Sequence, residues 1–152
     1  MTLNDSEYFD ILYSEEKEIL FKVFPIIEKF CQDNQWPYDK VTETTIVQML
    51  ISARTMPSRY YFNVKFDNSG ENITSLMIGD ISDHFFSDIT IATEWFVYSS
   101  DHSGKEMLDK FVTWSKDNGA NVVYCSSPNS YVDTWLEKQG FQFKEKAYIK
   151  WL

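Results

Sequence analysis

Apolar residues recur at three- and four-residue intervals early in the chain, at Ile19, Leu20, Val23, Phe24, Ile27 and Phe30. That spacing predicts an amphipathic helix. Ser14 stands ahead of Glu15, Glu16 and Glu18, an acidic first turn favourable to the helix dipole, and is the expected cap. Pro25 falls inside the pattern and predicts a kink or a restart, and Trp36-Pro37 closes the segment. A second helix is expected over Thr42 to Arg54, with Ile46, Met49, Leu50 and Ala53 on one side and Pro57 as its stop. The pattern then becomes aromatic and β-branched. Tyr60 to Phe66, Ile73 to Ile81 and Ile89 to Tyr98 read as three strands. They are separated by an Asp67-Asn68-Ser69-Gly70 turn and a loop over Asp83 to Asp88, which predicts an antiparallel meander.

The helical period returns with Met107, Leu108, Phe111 and Val112. Ser103 followed by Glu106 predicts a capping box at the helix start, and Asn118-Gly119 its end. Asn121 to Cys125 reads as a short buried strand. Val132, Trp135 and Leu136 mark a further helix ended by Gly140, and Phe141–Phe143 with Ala147–Trp151 a terminal hairpin or bent strand. A strand–helix–strand unit of this length favours a parallel pair. The expected fold is α/β (α+β): a mixed, mostly antiparallel sheet with a central parallel strand pair flanked by helices. It forms one domain over 1–152, with a helical part at 1–57 and the sheet at 58–152. A chain of 152 residues suits a single domain.

Composition narrows the partners. Hydrophobic residues make up 43% and aromatic residues 17%, which supports a packed globule rather than disorder. The formal charge of −9 and pI near 4.6 disfavour nucleic acid and anionic membrane surfaces. Cys31 and Cys125 are expected to be reduced thiols of a cytoplasmic protein. The first residues lack the pattern of a signal peptide. Two histidines, His84 and His102, both in expected loops, do not make metal-ligand spacing with them.

The chemistry-bearing residues cluster late. Glu94 lies on the third strand, and alternation places it with Thr90, Ala92 and Phe96. Its alternatives are a carboxylate of raised pKa on a half-buried strand or a solvent-facing side chain. Tyr131 opens the last helix and reads as an aromatic packed beside the sheet.

The order from about Ile89 to Leu152 resembles the C-terminal half of the GNAT acyltransferase superfamily. The resemblance rests on Glu94-Trp95-Phe96-Val97, on Trp114 and Gly119-Ala120, and on Asn129 with Trp135-Leu136-Glu137-Lys138-Gln139-Gly140-Phe141. It implies acetyl-CoA as acyl donor and an amine acceptor, with Glu94 as general base. Backbone amides of Phe96, Val97 and Tyr98 would hold the pantetheine arm, and those of Ser103, Gly104 and Lys105 the pyrophosphate. His102 and Lys105 would add favourable charge, and Asn129 would touch the CoA arm. The sequence departs from the family pattern in three places: His102 stands at a glycine position, the loop is three residues short, and Leu136 replaces the usual tyrosine acid, leaving Tyr131 as the candidate. The acidic, aromatic style also resembles small acyltransferase-like proteins of bacteriophages.

Two other readings follow from the same residues. One is a catalytically degenerate relative that binds a protein partner through aromatics such as Trp36, Tyr60, Tyr61 and Trp95. The other is an acidic DNA mimic, from nine acids against four lysines in residues 1–40. A homodimer is compatible with all of them.

Overall fold

The computed structural model describes residues 9–34, 43–148, 150 and 152. The elements are α1 (Ser14–Asp33), α2 (Glu43–Thr55), β1 (Tyr60–Phe66), β2 (Ile73–Asp83), β3 (Thr90–Ser99), α3 (Gly104–Asp117), β4 (Val122–Tyr124) and α4 (Ser130–Lys138). The strands form one sheet in the order β1-β2-β3-β4. β1, β2 and β3 are the expected antiparallel meander, and β3 and β4 are parallel.

The sheet separates two apolar cores. On one face Leu20, Val23 and Ile27 of α1 and Ile46, Val47 and Leu50 of α2 meet Leu76, Ile78 and Phe96. On the other, Met107, Leu108 and Phe111 of α3 and Leu136 of α4 meet Met77, Ile81 and Ala92. β2 feeds both cores, and Ser75 through Gly79 are buried without interruption. A strand covered on both faces loses its alternation for this reason. Burial of these faces, not intrinsic propensity, holds the helices in place.

Several local expectations are corrected. Ser14 is the first helical residue, and Tyr13 is the N-cap. The Tyr13 N–H donates to Glu16 Oε1 at 2.9 Å. The same carboxylate oxygen pairs with Arg54 Nη1 at 2.5 Å, and the guanidinium stacks 4.1 Å from the Tyr13 ring, so one glutamate ties the start of α1 to the end of α2. Pro25 lies within α1, which continues through it; packing of Val23 and Ile27 on either side outweighs one missing hydrogen bond. Trp36-Pro37 lies outside the described residues.

Ser103 is the N-cap of α3, as expected, but its side chain makes no capping hydrogen bond. Glu106 turns away to Lys65 and Lys110, at 3.2 and 2.9 Å. Residues 141–148 are not strand, so the expected terminal hairpin is absent among the described residues and β4 is the last strand of the sheet. Tyr124 Oη nevertheless donates to Glu145 Oε1 at 3.0 Å, holding this segment beside β4.

Candidate active site

The site begins with an irregularity in β3. Ile78 of β2 pairs with Phe96, but the next residue, Gly79, pairs with Glu94. Trp95 is therefore the extra residue of a β-bulge. Its indole N–H donates to Asp80 Oδ1 at 3.0 Å, and its ring meets Tyr60 edge-on at 6.4 Å. The bulge corrects the alternation expected for this strand. Ala92 belongs to the α3–α4 core and Phe96 to the α1–α2 core, so Glu94 and Phe96 do not share a face.

The parallel pairing of β3 with β4 covers three residues, Ile91 with Val122, Ala92 with Val123 and Thr93 with Tyr124. Beyond Thr93 the bulge shifts the register of β3, and the chain after β4 runs on to α4. The pairing ends at Thr93, so residues 94–99 of β3 and residues 125–129 are no longer laddered, although Ser126 still hydrogen-bonds Glu94. Glu94 follows the last β3 residue paired with β4. It is 6% exposed, and burial raises its pKa to about 7, against the opposing pull of hydrogen bonds from the Ser126 backbone and side chain. Cys125, beside it, is pushed up to about 12 by burial and then by the Glu94 charge. It stands as a neutral thiol, unsuited to act as a nucleophile. Glu94 is thus a carboxyl that changes charge near neutral pH, as a general base requires.

Along β3, Phe96 is buried and Val97 is 42% exposed. Phe96, Val97 and Tyr98 are paired with β2, and since successive strand amides point to opposite sides, not all three can face away from it. Asn129 stands between β4 and α4. There its Oδ1 accepts from the Val132 N–H at 3.1 Å and caps α4. Tyr131 follows in the first turn of α4 with 79% exposure. Leu136, at the position where the resemblance expects a tyrosine, is buried in the α3–α4 core and fills volume there. Tyr61 likewise packs within this core, 5.2 Å from Phe111 and 5.0 Å from Trp114, and so does not line a groove. Two open surface concavities, one along α3 around Lys105, Asp109 and Thr113 and one in the 83–89 loop, do not include Glu94.

The amide end of α3 is arranged differently from expectation. Asp101 Oδ1 accepts from the Ser103 N–H at 3.1 Å and from the Ser103 hydroxyl. Ser103 also bonds the hydroxyl of Ser75, which is fully buried. Lys65 Nζ lies 3.5 Å from Asp101 Oδ2 and 3.2 Å from Glu106 Oε2. Hydrogen bonds from Ser103 hold the Asp101 carboxyl far below the usual carboxylate range. Lys105 points along the helix to Asp109, at 2.6 Å. His102 takes φ +61°, a left-handed conformation that glycine adopts without strain. His102→Gly is expected to raise stability by up to about 1 kcal/mol, read as a higher denaturant midpoint at unchanged slope; a lower midpoint would show that the imidazole makes compensating contacts. Gly104 needs no special freedom, since a Cβ there would meet only Ser99 Cβ, at 3.8 Å.

The amide end of α3 thus already holds a carboxylate. Asp101, Ser75, Lys65 and Ser126 were not singled out by sequence reasoning. Asp101-His102-Ser103 carries the Asp-x-Ser signature of a side chain turning onto the backbone two residues on; the other three are brought in by strand register or by the turn after β4, which no local pattern reports.

No family model matches the chain, and no curated protein matches its sequence. Among solved structures it is similar to glucosamine-6-phosphate N-acetyltransferase from Arabidopsis thaliana, with TM-score 0.61 and 15% identity, over 74% of this chain and 80% of that one. It is also similar to an aminoglycoside acetyltransferase from an uncultured soil metagenomic sample, with TM-score 0.62 and 12% identity over 88% of each chain. A third, described as a probable acetyltransferase, gives TM-score 0.64 and 12% identity over 89% of this chain and 93% of that one. Identities this low speak to fold, and function must be argued from the site. The antiparallel meander, the parallel β3–β4 pair and the flanking helices, matched over most of the chain by these acetyltransferase structures, make this a GNAT-like fold.

Proposed function

We propose that the protein is an acyl-CoA-dependent N-acyltransferase, moving an acetyl group from a pantetheine thioester to a primary amine of a small molecule or protein. The observation that carries this reading is Glu94: a carboxyl at the point where the β3–β4 pairing stops, 6% exposed, with its pKa raised to about 7 by burial. A bound thioester supplies an electrophilic acyl carbon and a thiol leaving group. Glu94 accepts the proton of the incoming ammonium, directly or through a water, so that the amine presents its lone pair. Amides of the 96–98 segment that β2 leaves free orient the pantetheine arm, and Asn129 contacts it. Leu136 offers no proton. Tyr131, in the first turn of α4, is the hydroxyl assigned to the departing sulfur. Acetylation of an amine panel, followed by mass spectrometry, tests the reading. It fails if the wild-type protein neither binds acetyl-CoA by calorimetry nor yields any acetylated product.

A second reading is a partner-binding protein on the same scaffold. It is favoured by the carboxylate at the amide end of α3 and by Phe85 and Phe86, which stand 95% and 93% exposed in the β2–β3 loop. A clean acetylation product that is lost with Glu94→Gln excludes it.

A further inference from the structure

The amide end of α3 differs from an open anion cradle because the chain supplies its own anion. Asp101 Oδ1 lies on the Ser103 N–H at 3.1 Å and accepts the Ser103 hydroxyl as well. Ser75 Oγ, buried beneath, approaches the same oxygen at 3.5 Å. The cation that could have served an incoming phosphate, Lys65, is shared between Asp101 and Glu106, and Lys105 is engaged by Asp109. An incoming diphosphate would meet a carboxylate on the donor it needs, a second carboxylate one turn away, and no uncommitted lysine among those described there. Two negative groups at hydrogen-bond distance from one N–H exclude each other.

We infer that Asp101 fills the place of the donor's diphosphate, so that this protein selects its acyl donor through the pantetheine arm alone and is indifferent to the nucleotide end. The inference rests on the proposed thioester chemistry for its donor class, and on hydrogen-bond geometry for its statement about α3. It predicts that a short pantetheine thioester serves as well as the full coenzyme. It also predicts that removing the Asp101 charge creates an anion site at Ser103, Gly104 and Lys105.

The decisive measurement uses inorganic pyrophosphate as the probe, followed through the backbone amide resonances of Ser103 to Lys105 in the intact chain. The wild type is expected to show no saturable shift at millimolar pyrophosphate. Asp101→Ala, and the near-isosteric Asp101→Asn if the alanine variant is poorly folded, are expected to bind it at least about tenfold more tightly, as relief of one nearby charge implies. Coenzyme A and pantetheine would bind the wild type within a factor of about three of each other, and the variants would favour the coenzyme by about tenfold. Saturable shifts at these amides in the wild type overturn the inference, and so does a folded variant that gains no pyrophosphate affinity. The pyrophosphate titration tests the role of Asp101 even in a protein without acyltransfer. Loss of the proposed activity and loss of the Asp101 assignment therefore remain separate outcomes.

Discussion

Glu94→Gln is expected to lower acyl transfer by about a hundredfold or more, the usual contribution of a positioned general base, and at the same time to make the protein more stable above neutral pH. The two effects share one cause. Burial raises the Glu94 pKa from 4.5 to about 7, so between these values the folded protein holds a proton that the unfolded chain has released. Where the folded state binds more protons, stability falls as pH rises. The carboxyl is thus harmless at pH 4 and progressively destabilising from about pH 4.5 to pH 7. Above pH 7 its full effect, about 3 kcal/mol from a shift of this size, persists. Glutamine keeps the shape without the charge. The wild type should lose stability across that window more steeply than the variant, with the two curves meeting in acid. Turnover in the wild type should rise with pH and level off above about 7. Chemical denaturation at several pH values, with initial rates on the same samples, checks both. Parallel stability curves would mean that Glu94 is solvated, and the base assignment would fall with them.

Gly79→Ala is expected to destabilise the protein by about 3 kcal/mol, at the upper end of what an added methyl does in a packed core. Gly79 sits opposite the bulge, paired with Glu94. A Cβ there would lie 2.5 Å from the Thr93 carbonyl oxygen and 2.8 Å from two atoms of the Phe111 ring. The ring is fully buried and stacked on Trp114 at 5.6 Å, so it cannot swing aside, and the carbonyl belongs to the last residue of β3 that pairs with β4. Relaxation would push β3 from β2 at the bulge and displace Glu94. Loss of stability should therefore be accompanied by a lowered Glu94 pKa as the site opens to water, visible as a shift of the rate profile towards acid. The double variant Gly79→Ala/Phe111→Leu should recover part of the stability, since the leucine yields to the methyl; the carbonyl contact would remain. A Gly79→Ala protein with wild-type stability and pH profile would show that the bulge is not held by this close approach.

The stability and the chemistry meet at one strand. The bulge that removes Trp95 from the ladder follows directly on the last residue paired with β4, and beyond it Phe96 lies in the opposite core. Asp80 fastens the bulge through the Trp95 indole. Its own pKa is raised by burial, against the lowering influence of that hydrogen bond and of Arg59.

The sequence by itself determined the elements. Helical spacing placed α1, α2, α3 and α4 because each has one apolar face to bury. Aromatic and β-branched runs with an Asp-Asn-Ser-Gly turn placed the meander, because strand and turn chemistry are local. Glu94 and Asn129 were legible as candidates because each falls in a stretch that resembles a family motif, Glu94 three residues before Val97 and Asn129 ahead of the last helix. Local signals failed where a non-local contact was stronger. Ser14 lost the cap to Tyr13 because Arg54, from another helix, pairs with Glu16. Glu106 abandoned the capping box because β1 brings Lys65 within reach. Residues 141–148 did not form a strand, although their composition permits one. Only the tertiary structure decided that Trp95 is the extra residue of β3, that Glu94 is buried enough to titrate near neutrality, and that Asp101 occupies the amide end of α3. Strand register, burial and desolvation are properties of neighbours distant in the chain, and no window of sequence contains them.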